Sequence, residues 1–240
     1  MKKLFTWAAM AIMLVACNRT ETYTIEGSFD IPEQYQVGDT ILTRGPIRGY
    51  VYLCDLAGNP IDSSEIVDEK FTLMGLADGK QPYFAFMTSD FAAGMLVIEP
   101  GVMKAVLGEP VKVTGTPTND QITRLMEEVD SIGYLLALEM EDLQPADGQE
   151  ITEEMILPIY TKYSAQVNQI VESLYAANKD NLMGVYCGNV MTAHASSSAE
   201  LEELMAPLSD YVKNSELLQQ HLRYLQQMEA NQNGEDSLGD

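Results

Sequence analysis

Basic residues are scarce: 14 lysines and arginines stand against 36 aspartates and glutamates, a formal charge of −22 at pH 7. A field of that sign repels phosphate backbones and argues against nucleic acid as a partner. Cysteine is rarer still, at three residues, and no two of them form a Cys-x-x-Cys pair. A dithiol redox centre, which needs a resolving thiol beside the attacking thiolate, therefore has no basis in the chain. The two histidines, His194 and His221, are 27 positions apart. Neither belongs to a His-x-x-x-His or His-Glu-x-x-His spacing that would set metal ligands on one helix face. Gly-x-Ser-x-Gly, Gly-x-x-x-x-Gly-Lys and Gly-x-Gly-x-x-Gly are all missing, which leaves a serine hydrolase, a phosphate loop and a dinucleotide fold without their motifs. No catalytic residue, cofactor-binding residue or metal ligand is expected on these grounds. Beyond the N-terminal stretch, no run approaches the roughly eighteen apolar residues of a membrane-spanning helix.

What is present starts at the N-terminus. Met1-Lys2-Lys3 precede thirteen uncharged residues, Leu4 to Ala16, the charge and length of a secretory signal. The ending Leu14-Val15-Ala16-Cys17 resembles the lipobox of bacterial lipoproteins. That likeness implies cleavage before Cys17 and lipidation of its thiol. The expected organisation is a signal peptide over 1–16 and a lipidated tether over 17–21. It implies an address in the cell envelope, on the outer or inner membrane and facing the periplasm or cell surface. Loss of Lys2 and Lys3 leaves 14 − 2 = 12 bases against 36 acids, or −24 for the mature chain. Such a charge gives no overall attraction to anionic lipid, so attachment rests on acyl chains at about 0.8 kcal/mol per buried methylene.

At 46% hydrophobic residues the mature chain can bury a core, as one large domain or two small ones. Residues 22–117 have the texture of strands. Tyr23, Ile25, Gly27 and Phe29 alternate with Thr24, Glu26 and Ser28, the period of a half-buried strand. The longer segment Asp30 to Gly49, with Pro32, Gly38, Gly45 and Pro46, is expected to include an irregular connection. Further strands are expected at 50–55, 64–67, 70–74, 82–88, 95–99, 103–107 and 111–114, separated by Gly, Pro, Asp and Asn. Over 118–230 the period becomes helical. Thr118-Asn119-Asp120-Gln121 offers a capping box, and Pro158 suits the first turn of a second helix. A third helix is expected over 182–192. A fourth opens at Ser198 with a break at Pro207, and a last one carries Leu217 to Met228. The polar, acidic tail 231–240 reads as disordered. The fold class is α+β: an antiparallel β-sandwich or open barrel followed by an α-helical module.

Candidate sites are few. Cys54 and Cys187 either form one disulfide between the two halves or stay as buried free thiols, as their apolar flanks suggest. His221 lies on the apolar face of the last helix and reads as packed; His194 reads as a loop residue. Glu139, Glu141, Asp142, Asp147, Glu150, Glu153 and Glu154 are oxygen donors of the kind calcium takes, without the alternating order of a calcium loop; a solvated inter-helix loop fits them better. Tyr50, Tyr52, Tyr83, Tyr160, Tyr163 and Tyr175 are candidates either for a flat binding groove or for the core.

Several segments resemble bacterial lipoproteins of the Bacteroidota that carry the domain of unknown function 4369. They are Tyr23-Thr24-Ile25-Glu26-Gly27, Val51-Tyr52-Leu53, Val67 to Gly75, Leu96-Val97-Ile98-Glu99-Pro100-Gly101 and Thr114-Gly115-Thr116-Pro117-Thr118-Asn119-Asp120. Asn181-Leu182-Met183-Gly184 and 201–215 are similar to that family's helical linker. In the hairpin Val67 to Gly75, Glu69 stands where the family has glycine, a residue that works against a tight type I′ turn. Relatives of this kind continue into a thioredoxin-like domain with a Cys-x-x-Cys helix; this sequence has no such motif. The resemblance implies a lipid-anchored envelope protein acting as a binding or scaffold module, held to the membrane through Cys17 and meeting an envelope protein or peptide. The alternative is an accessory to a thioredoxin-like thiol–disulfide system, or an enzyme whose site assembles only in three dimensions.

Overall fold

The computed structural model of the chain describes residues 21–38, 40–77, 83–143 and 151–236. The signal peptide, Cys17 and most of the tether expected from the sequence lie outside these residues. The strands are β1 (Thr22–Phe29), β2 (Gln34–Val37), β3 (Thr40–Thr43), β4 (Tyr50–Cys54), β5 (Pro60–Glu65), β6 (Lys70–Leu76), β7 (Phe84–Thr88), β8 (Ala93–Val97), β9 (Gly101–Leu107) and β10 (Lys112–Thr114). The helices are α1 (Pro117–Glu141), α2 (Glu153–Ala177), α3 (Leu182–Thr192), α4 (Ser198–Met205), α5 (Asp210–Lys213) and α6 (Glu216–Asp236). The fold is α+β, with the strands leading and the helices following.

The alternation in β1 does what its period predicts: Tyr23, Ile25 and Gly27 are buried while Thr22 and Glu26 face solvent. Two four-stranded sheets form, in the orders β10-β9-β1-β6 and β5-β4-β7-β8. Their inner faces share one core, with Tyr23, Ile25, Phe71, Leu73, Met103 and Leu107 from the first and Val51, Leu53, Met87 and Leu96 from the second. The arrangement is a sandwich, and one pairing corrects the antiparallel expectation: β1 runs parallel to β9, Tyr23 opposite Gly101 through Phe29 opposite Leu107. A parallel neighbour requires a long crossover, and the whole second sheet is inserted between these two strands.

Cross-strand glycines admit the large rings. Gly27 faces Phe71 and Gly75 faces Tyr23 across β1 and β6. A Cβ at Gly27 would lie 1.9 Å from the Phe71 ring, and one at Gly75 would lie 2.5 Å from the Tyr23 hydroxyl. Each ring lies over the backbone of its glycine partner, as aromatics do when they cover a strand glycine.

Two stretches differ from the sequence expectation. The segment expected to include an irregular connection also holds a hairpin, β2–β3, whose turn Gly38 enters at φ +59°. The hairpin with Glu69 in the glycine place is tight after all: Asp68 and Glu69 sit at φ +52° and +57°, and Val67 and Lys70 exchange both backbone hydrogen bonds at 2.9 and 3.0 Å. A left-handed non-glycine residue is strained. Here the Glu69 carboxylate accepts both guanidinium nitrogens of Arg44, at 2.8 and 3.2 Å, and the Ile47 N–H at 3.4 Å. The pair with Arg44 holds the Glu69 carboxyl below its usual range. Glutamate thus gives the turn an anchor to the 44–47 segment that glycine could not.

Helix starts also differ in detail. The helix α1 begins at Pro117 rather than inside a Thr118 capping box. Its first turn is met from outside, by Glu99, which accepts the Thr118 N–H at 3.0 Å and the Thr118 hydroxyl at 2.7 Å. Pro158 lies inside α2, which starts at Glu153 with Glu153 and Glu154 in its first turn, where acids suit the helix dipole. The break near Pro207 is present between α4 and α5. The helix α6 runs on through Asn231 to Asp236, into the tail expected to be disordered. The rest of the tail falls outside the described residues.

The helices and sandwich share a second core. Phe84 and Val97, on the outer face of the second sheet, pack with Ile122, Leu125, Val171, Met183, Leu201 and Leu218. The helices thus cover the outer face of the second sheet, and α1 also meets the edge strand β10 of the first, where the Thr123 hydroxyl donates to the Val113 carbonyl at 2.7 Å.

Candidate ligand pocket between sandwich and helices

Where the helices meet the second sheet, packing leaves a cavity of about 440 Å³. Four stretches build it: Leu56 after β4, Tyr83 and Phe84 at the start of β7, Leu182 and Val185 on α3, and the run from Tyr211 to Leu217 across the α5–α6 junction. Local caps fix these walls. The Asn181 side chain accepts the Gly184 N–H at 3.2 Å and starts α3; Ser209 accepts the Val212 N–H at 3.3 Å and starts α5. The Tyr175 hydroxyl accepts the Ser209 N–H at 2.6 Å, tying α5 to the end of α2. Across the cavity, Gln220 Nε2 donates to the Leu56 carbonyl at 2.5 Å, joining α6 to the sandwich.

Phe84 and Val185 are buried and form an apolar floor, while Tyr83 and Tyr211 are exposed at the mouth. Burial, and to a lesser degree the neighbouring Tyr83, pushes the Tyr211 hydroxyl above its usual pKa. It is a neutral donor at physiological pH. The Asn214 amide and Glu216 carboxylate complete the polar rim. This arrangement, an apolar hollow with a few polar groups at its edge, suits an aliphatic or aromatic group held in place. It is poor in reactive chemistry: Ser215, the one lining hydroxyl on an aliphatic carbon, donates to the Val212 carbonyl at 2.6 Å. Neither His194, exposed beyond α3, nor His221, half-buried in α6, lines it.

The tyrosines named from the sequence scatter. Tyr50 and Tyr52 lie side by side on β4 with ring centroids 6.2 Å apart, and both are exposed. Tyr160 is exposed on α2. Tyr163 donates to Glu139 at 2.7 Å, and Lys162 pairs with the same carboxylate oxygen at 2.5 Å. Only Tyr83 enters the cavity. Glu139 thus joins α1 to α2, and hydrogen bonds from Lys162 and then Tyr163 hold its carboxyl below the usual range. Asp147 and Glu150 lie outside the described residues, among which no three His, Cys, Asp or Glu side chains are placed to hold a metal ion. Leu56, Leu182, Tyr211 and Leu217 escape a sequence reading because each looks like an ordinary core or surface residue. The nearest signals are the caps Asn181 and Ser209.

Cys54 and Cys187 are both free and buried; the disulfide alternative is not formed. Burial pushes the Cys187 thiol up to about 11, so at pH 8 only about one thiol in a thousand is ionised. Native protein treated with iodoacetamide at pH 8 should therefore leave Cys187 unmodified, whereas in urea it should alkylate fully. Peptide masses check this, and rapid native alkylation of Cys187 would refute it.

Comparison with known proteins covers the sandwich. The match to the family model described as Domain of unknown function (DUF4369) spans residues 23–122. No curated protein and no solved structure matches the chain. The matched residues hold both four-stranded sheets and the first turns of α1, so the likeness to the DUF4369 domain lies in the sandwich.

Proposed function

We propose that this is a lipid-anchored cell-envelope protein that works as a binding or scaffold module, taking an apolar side chain of an envelope protein or peptide into the cavity at the sandwich–helix junction. The cavity carries the reading. Its volume of about 440 Å³, Phe84–Val185 floor and Tyr83–Tyr211 mouth have the character of a site that recognises shape and a few hydrogen bonds. Anchoring through Cys17 places such a module beside envelope partners, and the lining offers no nucleophile paired with a base.

The test is a titration with short peptides carrying single leucine, phenylalanine or tryptophan residues, followed through the ring resonances of Tyr83 and Tyr211. A subset of peptides should shift both rings saturably. Leu217→Trp, which fills the cavity, should abolish the response without lowering the melting temperature. Peptides that shift neither ring, or bind the filled variant equally well, would count against the reading.

A further inference from the structure

The outer face of the first sheet differs from the rest of this acidic molecule. The residues of β1, β6, β9 and β10 that point away from the core form rows across the sheet. Leu76 lies opposite Thr22; Met74, Thr24 and Val102 follow; then Thr72, Glu26, Lys104 and Thr114; then Lys70, Ser28, Val106 and Lys112. At one end stand three apolar side chains, Met74, Leu76 and Val102, at 68%, 44% and 50% exposure. At the other stand three of the chain's 14 basic residues, Lys70, Lys104 and Lys112. Glu26 is the one acid in these rows, beside Lys104, and Glu127 of α1 meets Lys112 at 3.2 Å.

The position of β1 gives this face its meaning. Its first residue, Thr22, lies in the Leu76 row and follows Cys17 by five residues, a span of at most about 18 Å. On the lipid-anchor reading, from which this inference follows, the acyl chains enter the bilayer within that distance of the apolar end. We infer that the outer face of the first sheet lies on a phospholipid surface. Met74, Leu76 and Val102 enter the headgroup boundary and Lys70, Lys104 and Lys112 sit over anionic headgroups. Net charge opposes the whole molecule, but charges beyond about 10 Å are screened. Of the helices, α1 reaches this sheet at its β10 edge, where Glu127 is paired with Lys112, while Lys70 and Lys104 stand on the strands β6 and β9 away from it. The cavity is lined by the second-sheet segments and the helices and by none of the residues of this face.

The chain's one tryptophan is Trp7, in the expected signal peptide, so single-tryptophan reporters are straightforward in a Trp7→Phe background. Val102→Trp reports on the sheet face, and Tyr160→Trp, at 48% exposure on α2, reports on the helices. The full chain is tethered at Cys17 to vesicles of phosphatidylethanolamine and phosphatidylglycerol containing brominated lipid. Emission from Val102→Trp should be quenched and blue-shifted, while that from Tyr160→Trp should match the protein on unbrominated vesicles. Lys70→Gln and Lys104→Gln should each reduce the quenched population about fivefold, and pure phosphatidylcholine should reduce it for the parent. Equal quenching at the two reporters, or none at Val102→Trp, would overturn the inference. The anchor reading is judged separately, by the mass of the peptide carrying Cys17. If that thiol is unmodified, coupling it to a maleimide lipid restores the same tether, because Cys54 and Cys187 are buried.

Discussion

Asn119→Leu should lower stability by about 3 kcal/mol or more, seen as a fall in the urea midpoint at unchanged m-value. The Asn119 side chain is 2% exposed. It accepts the Val97 N–H at 2.9 Å and donates to the Val97 carbonyl at 2.7 Å and to Thr116 Oγ1 at 2.8 Å. Strand β8 is an edge of the second sheet. Ile98 N–H bonds to the Tyr83 carbonyl at 2.7 Å, so the next residue back, Val97, turns its backbone groups away from β7. The Asn119 amide fills the place of the missing strand and closes the edge at that point. Leucine keeps the volume but leaves a buried N–H and a buried C=O unpaired, each costing about 1–3 kcal/mol. Asn119→Asp separates the contributions: it retains an acceptor for Val97 N–H, loses both donors and adds a buried charge. It should be at least as destabilising as leucine. If both variants unfold at the parent midpoint, the amide is not what joins helix to sheet.

This contact shows where sequence reading reaches its limit. The stretch from Thr114 to Asp120 and the run ending Glu99-Pro100-Gly101 are visible as family-like motifs, but their purpose appears only when they meet. Glu99 caps Thr118, Asn119 pairs with Val97, and Asp120 accepts the Gly115 N–H at 2.8 Å. Local periodicity is enough for most of the elements: alternation in β1 and the helical stripes of α1 and α2 follow from apolar spacing alone. The parallel β1–β9 pair is invisible because nothing local records which distant strand a strand adopts. Pro158 and Glu69 mislead for a related reason. Each breaks a local rule, and a neighbouring acidic turn or a distant arginine outweighs the strain. The cavity is the least legible feature, since its walls come from four separated stretches and none has an unusual composition.

Two glycines on helices make opposite predictions from the same substitution. At Gly184, in the first turn of α3, a Cβ would come within 2.0 Å of the Asn178 carbonyl oxygen and 2.9 Å of its carbon. These are backbone atoms at the end of α2, and a neighbouring backbone cannot rotate aside as a side chain can. Gly184→Ala must push α3 away from α2, and overpacking of this kind costs about 3 kcal/mol. The displacement also moves Leu182 and Val185, so the response of Tyr83 and Tyr211 to bound peptide should weaken along with stability. At Gly133, in the exposed middle of α1, a Cβ meets nothing within 4 Å. There only helix propensity acts, and Gly133→Ala should stabilise by about 0.5–1 kcal/mol without touching the cavity. Thermal melts of the two variants should therefore move in opposite directions from the parent. Were Gly184→Ala to melt at or above the parent, α3 would not be seated against Asn178, and the wall it gives the cavity would have to be redrawn.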